Sequence, residues 1–262
     1  MADDSNNSGP VGRLARQASQ AWSAFMDRRR YGRGPVGSVA KPPVGLLVCF
    51  AVQEEMKFFA PHRTGGDESQ LTTTFQVWLT GIGRKNAAEN VRKAIVRMKP
   101  ERVITAGFAG GLNPDLKCGT VVYDQDFDAG LASELDDLGA LPAKFHCHRR
   151  VAITAGEKAE LWRETGADVV EMESSVIRTI CREFHIPSAT IRVISDDATQ
   201  DLPLDFNALM TSEDRINYLK LFGAVLSRPG RIPKLIEFQR QTLGAARKLG
   251  AVLEELLRAE RC

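Results

Sequence analysis

Much that would mark a specialised chemistry is missing from this chain. Its five cysteines (49, 118, 147, 181 and 262) are scattered and form no CxxC pair. That excludes a disulfide framework and a zinc ribbon, and it fits a reducing compartment. The four histidines (62, 146, 148 and 185) show no HExxH or comparable ligand spacing, so neither a metal site nor histidine catalysis is expected. Ser174 and Ser175 lack the context of a nucleophile elbow. No run approaches about 18 apolar residues, and no signal-peptide core precedes a cleavage site, so a cytoplasmic protein is expected. A net charge of only +2 gives no reason to expect nucleic acid as a partner.

What is present suits an ordinary globular protein: 262 residues, 43% apolar and 26% charged. The charge is uneven. Through Ala40 there are six arginines and three aspartates, a balance of +3, which leaves the remainder at −1. Residues 1–43 are therefore expected as a basic, partly disordered arm. Within it, Val11, Leu14, Ala18, Ala21, Trp22 and Phe25 recur at three- and four-residue steps and predict a short amphipathic helix. Such a helix can touch an anionic membrane, fold back on the body, or extend freely.

From residue 44 to 262 the pattern is that of one α/β domain. VGLLVCFAV, FQVWLTGIG, ERVITAGFAGG, GTVVYDQDF and SATIRVISDD predict strands, and RKNAAENVRKAIVRMK, EKAELWRET and MESSVIRTICREF predict helices between them. A long amphipathic helix opened by Pro233 ends the chain. Alternation of this kind implies a central mixed, largely parallel sheet flanked by helices. In such sheets ligands bind beyond the carboxyl ends of the strands, and the unusual residues collect there. Glu54 and Glu55 follow the first strand, Gly81 to Gly83 the second, Gly107 to Gly111 the third, and Ser195 to Asp197 the last. Glu171 to Glu173 lie where a short strand turns into its helix, and a parallel βαβ connection would return both acidic ends of residues 171–197 to one sheet edge.

Each stretch also has a structural explanation when taken singly. TGIG is a glycine-rich strand-to-helix turn with Asn86 where a dinucleotide fingerprint has its third glycine, so NAD is not expected. The small residues at 106–111 suit a flat ligand or tight packing. Two adjacent carboxylates after the first strand cannot easily face the same way; one is expected in the cleft, where it can hold and deprotonate a water, or both decorate a helix start. In EMES, Glu173 can accept from paired hydroxyls beside the adaptable surface of Met172. In ISDD, a sheltered aspartic acid can hand a proton to a leaving group, or cap the next turn.

Taken in order, LLVCFAVQEEM, TGIGRKNA, AGFAGGLNPDLKCGTVV, VVEMESSVI and IRVISDDA resemble the purine nucleoside phosphorylase/uridine phosphorylase superfamily, and within it the methylthioadenosine/S-adenosylhomocysteine nucleosidase branch. The resemblance covers roughly residues 44–206. It implies a nucleoside phosphorylase-like fold, cleavage of a purine nucleoside, no cofactor, and a homodimer. It further implies that Asp196 protonates the departing purine, that Glu55 positions the attacking water, and that Met172 and Glu173 hold the ribose. Thr80, Gly81, Gly110, Val52 and Ser195 complete the implied substrate-binding set. The chain departs from the branch in a shorter stretch between Tyr123 and Val151, in lacking the aromatic-aliphatic pair that sandwiches the base, and in Phe108, where a small polar residue is usual. TAGEKAELWRETGADVVEMES and LSRPGRIPKLIEFQRQ look instead like the hopanoid-associated phosphorylase-like group, linked to removing adenine from adenosylhopane. Such a substrate would give the arm a role at a membrane. Glu55 favours hydrolysis. Arg84 and Arg192 keep phosphorolysis open, and an inactive nucleoside-binding or scaffold protein is the third reading.

Overall fold

Strands in the middle of this sheet are apolar on both faces because helices cover both. The computed structural model describes residues 44–59, 75–209, 211, 230 and 232–259, so the arm expected over 1–43 lies outside the described residues. Strand β1 (Leu46–Phe50) is buried at every position. Its odd and even residues serve different cores: Leu46, Val48 and Phe50 join one cluster, whereas Leu47 and Cys49 join another. This is the period of two expected of a strand between two layers.

Strand β2 (Phe75–Leu79) pairs parallel with β1 at the edge, and helix α1 (Gly83–Met98) follows it. Strand β3 (Arg102–Gly111) lies on the other side of β1, again parallel. Strand β4 (Val121–Gln125), helix α2 (Ala132–Asp137) and the short strands β5 (Leu141–Pro142) and β6 (Phe145–Cys147) come next. Helix α3 (Ala155–Thr165), strand β7 (Val169–Glu171), helix α4 (Ser174–Glu183) and strand β8 (Ser188–Asp196) complete the centre. Helix α5 (Phe206–Leu209) and the long α6 (Ile232–Ala259) close the chain. The main sheet runs β2-β1-β3-β8-β4-β5, with β7 on the end of β3 and β6 beside β7. Among the described strands only β3–β7 and β4–β8 are antiparallel, so the sheet is mixed and largely parallel as expected.

One layer packs α6 against the sheet through Leu249, Leu253, Leu256 and Leu257, joined by Leu135 of α2. The other packs Val91, Ala94 and Ile95 of α1 with Ile177, Ile180 and Cys181 of α4. Each fully buried leucine or isoleucine of this kind contributes about 2 kcal/mol, so the two layers fix the strands from both sides.

The expected parallel βαβ link between EMES and ISDD is not what forms. β8 runs parallel to β3, but β7 runs antiparallel to its last two residues, pairing Val170 with Gly110 and Val169 with Gly111. An irregularity between Ala109 and Gly110 shifts the β3–β8 register there, so that Gly110 faces Asp196. A bulge re-aims a strand end. β1 pairs with β3 only as far as Thr105, so the end of β3 pairs with β7 as well as β8, and the two acidic stretches meet around it.

Candidate active site

Glu55 turns inward while its neighbour Glu54 is exposed. Residues 51–58 make turns in place of a helix, and these aim backbone N–H groups at the carboxylate. Ala51 and Val52 donate to Oε2 at 2.8 and 3.1 Å, and Phe108 donates to Oε1 at 2.9 Å. Burial pushes the Glu55 carboxyl up, opposed by the Arg192 guanidinium and by these three N–H groups. Three backbone donors leave Oε1 able to accept one more hydrogen bond, as a water would require. Gly107 makes the approach possible: a Cβ there would stand 2.3 Å from Glu55 Oε1. The small residues after β3 thus make room for a carboxylate of the chain itself.

Glu173 is also buried, and its Oε1 accepts from the Gly83 N–H at 2.7 Å. Helix α1 has no side-chain cap of its own at Ile82. The Glu173 carboxylate occupies that orphan donor and the positive end of the helix dipole. Gly81 and Gly83 hold φ of 84° and 81°, left-handed values that permit the tight turn between Thr80 and the helix. Burial, with the charge of Glu171 next, pushes the Glu173 carboxyl up to about 7.

Glu171 is the support beneath. Its Oε2 accepts from the N–H groups of Glu173 and Ser174 at 3.0 and 2.8 Å, and its Oε1 accepts from Ser174 Oγ at 2.7 Å. Arg192, also buried, donates through Nη2 to Glu171 Oε2 at 3.1 Å and to Thr105 Oγ1 at 3.0 Å. The guanidinium is thereby committed to an internal ion pair. Arg84 is exposed and donates to Ser175 Oγ at 3.3 Å.

Asp196 ends β8 opposite Gly110, where a Cβ would meet its Oδ2 at 3.3 Å. Its Oδ1 accepts from Ser195 Oγ at 2.5 Å. Its Oδ2 accepts from Lys158 Nζ, also at 2.5 Å. Lys158 lies on α3 with no side-chain exposure, and it also donates to the carbonyls of Asp197 at 2.7 Å and Gln200 at 2.9 Å. The sequence pointed to a sheltered aspartic acid; the structure shows one half of a buried ion pair. The signal was present, because Lys158 and Leu161 are the inward-facing positions of α3. A lysine on such a stripe needs a partner.

Glu55 therefore stands beside Gly107 and Asp196 beside Gly110, about 10 Å apart along β3 at strand rise. Glu173 is tied to α1 and feels the charge of Glu55. Met172 is half-buried, as are Val52, Gly81 and Gly110. Thr80 is buried, and its hydroxyl donates to the Phe50 carbonyl at 3.1 Å. All nine residues singled out from the sequence gather at the carboxyl ends of β1, β2, β3, β7 and β8.

The chain also matches a family model. The model of the "Phosphorylase superfamily" matches residues 72–152 and 146–226, more than half of the chain. The chain belongs to that superfamily. A 5′-methylthioadenosine/S-adenosylhomocysteine nucleosidase from Glaesserella parasuis is 29% identical over 165 residues, covering 50% of this chain and 71% of the relative. One from Exiguobacterium is 28% identical over 183 residues, covering 57% and 78%. Among solved structures, the nucleosidase of Helicobacter pylori with butyl-thio-DADMe-Immucillin-A superposes with a TM-score of 0.58 at 16% identity, covering 83% of this chain and 99% of that one. Futalosine hydrolase of the same species gives 0.57 at 16% identity, with 82% and 98% covered. The fold thus superposes over 83% of the chain, and no described helix is long and apolar enough to cross a membrane.

Proposed function

We propose that this phosphorylase-superfamily member hydrolyses the N-glycosidic bond of a 5′-substituted adenosine and releases adenine. The observation that carries the reading is the trio of buried carboxylates around β3, each held by donors that fix its direction. In the proposed step the C1′–N9 bond breaks and its electron pair enters the purine, which takes a proton at N7 from Asp196. A water on the opposite side of the sugar gives its oxygen to C1′ and its proton to Glu55. Glu173 accepts from the ribose hydroxyls through the oxygen that Gly83 leaves free, with Met172 against the sugar. The relatives named nucleosidases support the hydrolytic class.

Phosphorolysis is the weaker reading. Arg192, one of two arginines set near the cleft, is spent on Glu171, and a carboxylate at the position of Glu55 would repel bound phosphate. Incubation with methylthioadenosine, S-adenosylhomocysteine and other 5′-substituted adenosines, with and without phosphate, tests the proposal. Adenine release without phosphate is expected. Strict dependence on phosphate with formation of a ribose 1-phosphate would establish the phosphorylase instead. Asp196→Asn is expected to cut release about 1000-fold, to a residual rate, while nucleoside binding persists, and wild-type turnover in that variant would remove Asp196 from the mechanism. Within this reading the enzyme is a homodimer, as the resemblance implies, and its basic arm meets an anionic membrane surface. Equal liposome flotation with and without residues 1–40 would remove the membrane role.

A further inference from the structure

Beyond the three carboxylates, one charged group at the site has no assigned role. Lys158 is an ammonium with no side-chain exposure, on a helix that supplies no other polar atom to the cleft's carboxylates. Taking a lysine wholly out of water is costly unless all its protons are used. Here all three are: they go to Asp196 Oδ2 and to the carbonyls of Asp197 and Gln200. A lysine serving only to cap loop carbonyls would not need to reach the carboxylate at the end of β8. One serving only to neutralise Asp196 would not need to grip the two carbonyls that follow.

We propose that Lys158 is the positioning residue of the leaving-group acid, holding the Asp196 carboxylate in place and tying the loop at 197–200 to α3. The inference rests on the nucleosidase reading and deepens it. Two contacts set the carboxylate's direction, Lys158 on Oδ2 and Ser195 on Oδ1, and the missing Cβ of Gly110 leaves room for both oxygens. Asp196 enters the step carrying a proton taken from solvent; as C1′–N9 breaks, that proton moves to purine N7, and the carboxylate left behind is stabilised by the Lys158 ammonium. The aspartate touches the base; the lysine acts through the aspartate.

The test is a double-mutant cycle with Lys158→Met and Asp196→Asn, read on adenine release. Lys158→Met is expected to lower kcat about 100-fold, the scale of lost proton-transfer catalysis, while KM changes less than about threefold. In the Asp196→Asn background the same change is expected to have no further effect on kcat, because residues acting as one unit are non-additive. Additive losses, or a rise in KM at constant kcat, would overturn the proposal in favour of a purely structural lysine. Lys158→Gln keeps a donor for the loop carbonyls should the methionine variant fail to fold; wild-type kcat in it would show that the charge is dispensable and overturn the proposal. A second readout does not require turnover. Wild-type protein is expected to bind adenine about tenfold more tightly than 7-deazaadenine, which lacks N7, and Lys158→Met is expected to erase the preference. If wild-type protein releases adenine from no substrate, the nucleosidase reading fails by itself. The adenine to 7-deazaadenine ratio then still decides on Lys158: an unchanged ratio in the variant overturns the proposal.

Discussion

Replacing Gly107 by alanine places a methyl carbon 2.3 Å from Glu55 Oε1, 2.7 Å from its Cδ and 3.0 Å from Oε2. Ordinary contact begins near 3.4 Å, so the carboxylate must retreat by about 1 Å. It cannot do so and keep the Phe108 N–H at 2.9 Å together with the N–H groups of Ala51 and Val52. A hydrogen bond to a charged group is worth about 2–3 kcal/mol. Gly107 has no left-handed φ, so alanine there also stiffens the unfolded chain and returns about 0.4–1 kcal/mol. The carboxylate wins, and the net loss is about 1–2 kcal/mol, or a fall in Tm of about 2–8 °C. Under the proposed mechanism activity should fall further, because about 1 Å of misplacement of a water-positioning group costs about 100-fold in kcat. Chemical denaturation and adenine release measure the two effects. In a Glu55→Ala background the clash is gone, and Gly107→Ala should become neutral or slightly stabilising. Wild-type Tm and kcat in the single variant, or an equal stability loss in both backgrounds, would refute the reasoning.

Glu173, with its carboxyl pushed up to about 7, retains a proton in the folded state that the unfolded chain loses above about 4.5. Stability should therefore fall as pH rises from about 4.5 to 7 and then level off; denaturation midpoints across that range should lose this slope in Glu173→Gln. Nucleoside affinity should rise through about pH 7 in wild-type protein, as the ionised form becomes available to accept ribose hydroxyls, and stay flat in the variant by calorimetry. Arg192→Met leaves Glu171 buried without its counter-charge and should cost about 3–5 kcal/mol in denaturation. Adding Glu171→Gln should recover part of that loss, and neither change should create a phosphate requirement in the turnover assay.

The same carboxylates show what a local reading can reach. The TGIG turn was legible because only glycine tolerates its two left-handed residues, and the helices were legible because apolar positions recur at their period. Glu55 was expected to separate from Glu54, since adjacent side chains diverge. The purpose of Gly107 was not legible, because the oxygen that needs its missing Cβ belongs to a residue 52 positions earlier. Arg192 looked available for phosphate because its partner, Glu171, lies on another strand. The direction of β7 was misjudged because a strand of three residues carries no directional signal.

By itself, then, the sequence of this protein determined the alternation of strands and helices, the glycine turns, and the acids at strand ends, all of which follow from periodicity and backbone preference within a few residues. Only the tertiary structure decided which oxygen each donor meets, that Lys158 holds Asp196, and that Glu173 caps α1 with its carboxyl pushed towards neutrality. Those properties arise from burial and from contacts between residues 38 to 90 positions apart. Electrostatic interaction in a desolvated cleft depends on distance in space, and separation along the chain does not encode that distance.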